Sequence, residues 1–476
     1  MEFVNLTPFG AAAYRGIDAQ DNEYDVVVMR TVYRLHADSE PGPGPTWLVA
    51  EILDGEAPSL TTEDRYSGEV GTSSVLVESD LAPFKPRCDV IVTGHTFAPF
   101  GRPAEVWLAR LRISQPARHA AADGPLETMP PLNAEDDLSF QDRVRWQHAQ
   151  EAYGYAWDRA PGPQGERMRS LMLDKTLRVH APRQFEQALL GGWQLRSLSP
   201  ALAVALQYEL AYGGASVVAN PRVERDPAAP PHLLNEVNFT NPLGCGWWHS
   251  EYLATLKKAG QRQPRQLPAP QFEFPDDPIN APDFTVQASG LTVPGMHKAA
   301  QTYAHRPAGF GALGRAWTPR IQCAGSYDAP WLEQRWPKLP VDFDMGYWNC
   351  APVDQQMDFP SPDMYLEMGN LIDPAVCQSG HAVLQLPGHR ASVLFRLQSG
   401  LLLGGPCVID TLHLDTDKME LSLTWRASLT RSMAARVAEL RFEVDPGKPL
   451  LDLPPLAAKH GGVPHEPTDA ATQELR

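Results

Sequence analysis

At 476 residues and 43% hydrophobic composition, the chain can bury a sizeable core, and its length suggests roughly two to three domains. With 41 Lys and Arg against 57 Asp and Glu, the net charge is −16; this argues against nucleic acid or an anionic membrane as partner and permits a basic partner surface. Its 46 Pro favour β-structure and ordered loops over long helices.

The six cysteines are Cys88, Cys245, Cys323, Cys350, Cys377 and Cys407. The nearest neighbours are 27 residues apart, as from Cys323 to Cys350, so no C-x-x-C metal or redox motif exists. Free, reduced thiols are expected. The opening MEFVNLTPFG has no basic n-region or apolar h-region. No apolar run reaches the roughly 18 residues of a membrane helix. The expectation is a cytoplasmic protein with no membrane insertion.

Residues 1–113 read as β-strands joined by turns. YDVVVMRTVYRL (Tyr24 to Leu35) is rich in β-branched and aromatic residues and partly alternates. TWLVAEIL (Thr46 to Leu53) follows the turn PGPGP. CDVIVTGHTFAP and PAEVWLARLRIS are two further strands, joined through Phe100-Gly101-Arg102. The spacing predicts a sandwich-like antiparallel β-domain rather than alternating βαβ units. Residues 115–170 break the pattern: AEDDLSFQDRVRWQHAQEAYGYAWDRA is charged and moderately amphipathic, and reads as an inserted helical excursion. Strand-like text resumes at KTLRVHAPRQF (Lys175 to Phe185) and ALAVALQYELAYGG (Ala201 to Gly214).

From Asn220 to Pro307 Pro, Asn and Gly dominate, with one short helical candidate, SEYLATLKKAGQ. Pro307 to Pro352 follows, with four of the twelve Trp (Trp317, Trp331, Trp336, Trp348), six Pro and five Gly. Neither a helical nor a strand period survives such punctuation, yet the block is too aromatic for a solvated linker. Its tryptophans are expected to pin an irregular segment against β-structure. From Ala391 strands return in ASVLFRLQSG, CVIDTLHLD and MELSLTWRASL, whereas SMAARVAELRFEV fits helix or strand. The stretch after about Pro455 is polar and Pro-bearing and is expected to be disordered. The class is mainly β (α+β), with a first region over 1–360 that holds the excursion and the Trp-rich block, a β-rich region over 361–455 and a tail over 456–476.

Several constellations invite chemistry and lose on context. Gly309-Phe310-Gly311-Ala312-Leu313-Gly314 matches G-x-G-x-x-G, but Pro307 precedes it and Thr318-Pro319 stops any helix soon after. Asp342-Phe343-Asp344 with Asp354 resembles part of a calcium loop but lacks the third ligand and the closing Glu. His95, His180, His381 and His389 show no zinc spacing. Gly71-Thr72-Ser73-Ser74 is not a nucleophile elbow, and Asp276-Asp277 reads as solvated. No catalytic residue, metal or cofactor is expected. The Trp-rich block leaves a carbohydrate-stacking platform open, and a hydrolase on irregular β-structure is the other alternative.

A series of segments resembles the bacterial family named domain of unknown function 2169. It begins with Asn5-Leu6-Thr7-Pro8-Phe9 and the strand Val26 to Tyr33, and continues through Ser73-Ser74-Val75, Glu78-Ser79-Asp80, Lys85 to Val90 and Gly94 to Pro99. Tyr208-Glu209-Leu210-Ala211-Tyr212-Gly213-Gly214 is similar to the family's Y-E-R-A-F-G-G segment, with Leu210 where Arg is common. Asn241-Pro242-Leu243-Gly244-Cys245-Gly246 is similar to its N-P-x-G-x-G segment. The most specific stretch holds Gly309, Phe310, Gly311, Trp317, Arg320, Gly325, Tyr327, Asp328, Trp331, Asp342, Phe343 and Asp344, completed by Asn349, Pro352, Asp354 and Gln355. The resemblance covers roughly residues 1–360, and the excursion at 115–170 falls where the family runs straight on. It implies a type VI secretion adaptor, or effector chaperone. Such an adaptor holds a toxic effector, often with a PAAR-type tip, and helps mount it on the VgrG spike. An adaptor needs an exposed apolar patch or a free sheet edge. The Trp-rich block and the excursion are the two candidates.

Overall fold

The structure, a computed structural model, describes residues 1–38, 44–53, 60–68, 70, 73–116, 169–187, 193–213, 216–219, 232–235, 266–278, 306–315, 317–446 and 448. The chain is mainly β, as its composition predicts. Sixteen strands build the two principal sheets. They are β1 (Glu2–Asn5), β2 (Gly10–Ile17), β3 (Glu23–Ala37), β4 (Thr46–Ile52), β5 (Cys88–Thr93), β6 (Val106–Pro116), β7 (Arg169–His180) and β8 (Phe272–Glu273), followed by β9 (Gln356–Met357), β10 (Tyr365–Gly369), β11 (His381–Gln385), β12 (Arg390–Leu397), β13 (Leu402–Pro406), β14 (Val408–Asp415), β15 (Glu420–Thr430) and β16 (Ala435–Glu443).

The 12-stranded sheet runs β8-β7-β6-β10-β11-β4-β3-β15-β14-β5-β9, with β2 also on β3. The long β3 pairs with β2 through its first half and with β4 through its second, while β15 runs along its other side. Strands from before and after residue 360 therefore alternate within one sheet. The 4-stranded sheet runs β1-β16-β12-β13. Most pairings are antiparallel; β4 with β11, β5 with β14 and β1 with β16 are parallel. The SMAARVAELRFEV segment resolves to strand, because β16 lies between β1 and β12.

Alternation decides which side of each strand meets the core. On β15, Leu421, Leu423, Trp425, Ala427 and Leu429 face the apolar side, opposite Tyr33, Thr31, Met29, Val27 and Asp25 of β3. The 4-stranded sheet packs on this face. Phe442 of β16 meets Trp425 edge-on at 6.3 Å and Phe9 at 4.9 Å, and one apolar cluster joins the two sheets. This is sheet-on-sheet packing of the sandwich kind.

One reading changes. Ala201 to Gly214 is strand only at Ala203–Ala205, which pairs with His95–Phe97; a 3-10 turn, Tyr208–Leu210, takes over because Tyr208 turns inward to be buried. No helix begins within Gly309 to Gly314, so none reaches Pro319 from that side. The short helix α1 (Thr318–Ile321) forms around it, since Pro is tolerated in a first turn whose N–H groups lack intrahelical partners. Residues 117–168, most of the expected helical excursion, lie outside the described residues. Their flanks do not: Pro116 and Arg169 are direct register partners on β6 and β7, so the insertion leaves and re-enters at one end of a hairpin. The SEYLATLKKAGQ segment and the stretch after Pro455 also lie outside the described residues.

Candidate functional site

The second face of the large sheet is polar and nevertheless buried. Its side chains include Arg30 on β3, Ser422, Thr424, Arg426 and Ser428 on β15, His413 and the half-buried Thr411 on β14, and Asp89 on β5. Burying such groups is costly unless they are paired; Arg30, Thr424, Arg426 and Asp89 all find partners, while Arg30 Nε and His413 Nδ1 have none among the described residues. The described residues of the 60–85 segment lie across this face. Asp80 accepts from Thr61 N at 2.8 Å and from Thr424 Oγ1 at 2.9 Å, and pairs with Arg30 at 3.5 Å. Arg426 donates to Asp410, Tyr14 Oη and the Ala82 carbonyl, and to Asp80 O at 2.9 Å. The β14 ladder shifts register between Ile409 and Thr411, and this bulge brings Asp410 to the polar side.

Asp89 is the point where the Trp-rich block is fastened. It is fully buried and accepts from Lys85 Nζ at 2.8 Å, Asn349 Nδ2 at 3.0 Å, Cys350 N at 3.0 Å and Ala351 N at 3.1 Å. Burial alone would lower the Lys85 ammonium pKa; Asp89 overrides that and holds it above the ordinary lysine value. Asn349 Nδ2 also donates to Arg87 O at 2.8 Å. Arg320 binds Glu78 and donates to the carbonyls of Leu313 at 2.7 Å and Tyr347 at 2.8 Å. Gln355 is fully buried; its amide donates to Val90 O and Phe310 O, both at 2.8 Å, and accepts from Lys175 Nζ at 2.6 Å. Asp354 pairs with the same ammonium at 3.0 Å. Burial outweighs that pairing and brings Lys175 down to about 8.

The family segments interlock. Tyr208 lies in a pocket whose floor is Gly309: a Cβ there would sit 2.4 Å from the ring. Its hydroxyl donates to Gly311 O at 3.1 Å, and Trp317 packs with it, Ala211 and Leu313. Phe310 is buried, and its carbonyl accepts from Val92 N at 2.9 Å, tying the block to β5. Glu209 accepts from Ser67 Oγ at 3.0 Å and Ser74 N at 2.7 Å. Tyr212 is buried; its N–H donates to Phe272 O at 2.9 Å and its carbonyl accepts from Ala308 N at 2.8 Å. Gly213 takes a positive φ of 84°, and buried Pro352 accepts from Gln355 N at 2.8 Å. Gly214, Asn241, Pro242 and Gly244 lie outside the described residues.

The string Gly309 to Gly314 thus serves close packing against Tyr208. The acidic string is spent on turns: Asp342 accepts from Ser326 N at 2.9 Å and Ser326 Oγ at 2.7 Å, and Asp344 from Gly346 N at 2.7 Å. Among the described residues no group of three or more His, Cys, Asp or Glu is arranged to hold a metal.

Residues 325–344 project from this seam as an aromatic hairpin. Its base is closed by Asp344 N to Cys323 O at 2.8 Å and by the Asp342–Ser326 bonds; Phe343 is buried beneath it. Gly325, with φ 78°, could not carry a Cβ, which would meet Asp342 Oδ1 at 2.7 Å. Asp328 caps the helix α2 (Ala329–Gln334) by accepting from Trp331 N at 2.9 Å. Trp331 Nε1 donates to Lys338 O at 2.8 Å. Arg335 reaches Asp21 at 3.1 Å and the Ala19 carbonyl at 2.9 Å, and Lys338 reaches Asp21 at 2.9 Å. Tyr327, Trp331 and Trp336 stack edge-on in series, with centroids 4.7 and 5.6 Å apart. Tyr327 is 54%, Leu332 60% and Trp336 65% exposed. The expectation that all the tryptophans pin the block is therefore corrected. Trp317 is buried, but ion pairs and amide bonds to the polar face hold the segment, and Trp336 points outward.

Sequence reasoning placed Lys85 and Asp89 in a family-like segment without giving them a role, and did not single out Lys175, Asp410 or Arg426. The available signal was a charge inside an otherwise apolar strand, as in CDVIVT and LTWRASL. One open cleft of about 450 Å³ lies over Arg30 and His413. Arg30, Arg65 and Lys418 there are matched by Glu63, Asp415 and Glu420, so it favours neither charge sign.

The fold and its seam define a β-rich protein whose family segments form one internal framework. The chain belongs to the family described as an uncharacterized protein conserved in bacteria, domain of unknown function 2169, whose model matches residues 20–125 and 158–426. The unmatched 126–157 fall inside the insertion between β6 and β7. The chain matches no curated protein and no solved structure. Among the described residues no helix is long and apolar enough to cross a membrane.

Proposed function

We propose that this chain is a cytoplasmic type VI secretion adaptor without catalytic activity of its own. In this reading it binds a cognate toxic effector, one carrying a PAAR-type tip, and helps load it onto the VgrG spike. The observation that carries the reading is the aromatic hairpin. Large rings are held rigidly and left open to solvent, where a monomeric surface gains nothing from them. The framework beneath supports the same reading, because its charged and amide side chains are committed to fixing the hairpin's base.

The test is co-purification of the full chain with the effector encoded beside its gene and with the VgrG protein of the same cluster. A stable complex with the effector is expected. Failure to bind either protein would remove the proposal.

A further inference from the structure

We propose that the 325–344 hairpin docks a basic, apolar segment of a partner protein, laying an arginine or lysine on Trp336 and aliphatic side chains against Leu332. The proposal rests on the adaptor reading and names the chemistry that its exposed surface takes.

The aromatic component is open. Trp336 is 65% exposed, and its one aromatic contact among the described residues is the edge-on Trp331 ring, at 83°, so much of its indole is open to a partner. An exposed indole face attracts a cation, guanidinium above all. The charge component is net negative. The hairpin's two cations, Arg335 and Lys338, share the single carboxylate of Asp21, which offsets one of their two charges. Its exposed carboxylates, Asp328, Glu333, Asp342 and Asp344, have no cation within salt-bridge distance among the described residues. The hairpin therefore presents aromatic surface rimmed by unpaired negative charge, on a chain of net charge −16. An acidic segment would be repelled, and a neutral apolar one would leave the rim uncompensated; a basic amphipathic segment satisfies both components. The surface is also preorganised, since the Asp328 cap, the Trp331–Lys338 bond and the Arg335–Asp21 pair hold it before binding.

The experiment uses the full chain and two synthetic amphipathic peptides with identical leucine positions, one carrying arginine and the other glutamate at the polar positions. Binding is measured on wild type, Trp336→Ala, Leu332→Ser and Glu333→Lys, each checked for unchanged thermal melting. Trp336→Ala leaves the net charge unaltered, so its effect separates this surface from general attraction to an acidic protein. The arginine peptide should bind wild type saturably and each variant roughly tenfold more weakly, while the glutamate peptide should not bind. Equal binding of the arginine peptide to wild type and to Trp336→Ala and Leu332→Ser, or equal binding of both peptides to wild type, would overturn the proposal. The neighbouring effector forms a separate arm. If it binds wild type and Trp336→Ala alike, the docking surface is wrong and the adaptor reading stands. If it does not bind wild type, the adaptor reading is wrong, and the peptides decide the surface alone.

Discussion

Lys85 and Asp89 form a 2.8 Å ion pair with both side chains buried, on the face of the large sheet turned away from the apolar core. The same carboxylate accepts the backbone N–H groups of Cys350 and Ala351. One pair therefore joins the 60–85 segment, β5 and the Trp-rich block.

Removing one partner of a buried pair strands the other charge. Asp89→Ala should cost roughly 3–5 kcal/mol in chemical denaturation. The double variant Lys85→Met, Asp89→Asn should recover part of that loss, since no lone ammonium remains. A single-variant loss within about 0.5 kcal/mol, the range of ordinary surface changes, would contradict the role given to Asp89.

Gly309 faces the Tyr208 ring at a distance that admits no side chain. Gly309→Ala should destabilise by roughly 1–3 kcal/mol through overpacking. Combined with Tyr208→Leu, whose shorter side chain vacates the contact, the added alanine should cost little more than Tyr208→Leu alone. A double-mutant cycle measures this coupling.

Glu273 is buried beside His180 and Arg183, at 2.8 and 3.0 Å. Burial alone would raise its carboxyl pKa, but the His180 hydrogen bond and the Arg183 charge bring it down to about 2. A depressed folded-state pKa stabilises above the ordinary value of 4.5 and is lost as pH falls towards 2. The urea midpoint should therefore drop through that window, and Glu273→Gln should flatten the dependence. An unchanged slope in the variant would assign the acid sensitivity elsewhere.

Pro116 and Arg169 stand opposite one another where β6 and β7 meet the insertion. Replacing residues 117–168 by Asn-Gly, which suits a two-residue hairpin turn, should leave the large sheet intact. The melting temperature should stay within a few degrees, roughly the shift from 1 kcal/mol in a chain of this size. Loss of cooperative melting would show that the insertion supports the sheet.

The local patterns were legible because they are short-range. The leucine–polar alternation of Leu421 to Leu429 identifies a strand without knowledge of its neighbours. The glycines and prolines of 307–352 likewise mark an irregular segment. The tryptophans misled because ring size says that burial is favourable, not that it occurs. Trp336 stays exposed because Arg335, one residue before it, is drawn down to Asp21, which lies more than 300 positions away in sequence.

By itself, then, the sequence determined the β-rich class, the family segments, the charge of −16 and the irregular character of the Trp-rich block. Tertiary structure decided that Arg30 would stand opposite Thr424, that the polar face of β15 would be buried rather than solvated, and that Asp89 would receive the block's backbone. The physical reason is range. Alternation and turn chemistry act over a few residues, whereas a buried charge finds its counter-charge only after strands from both ends of the chain are laid side by side.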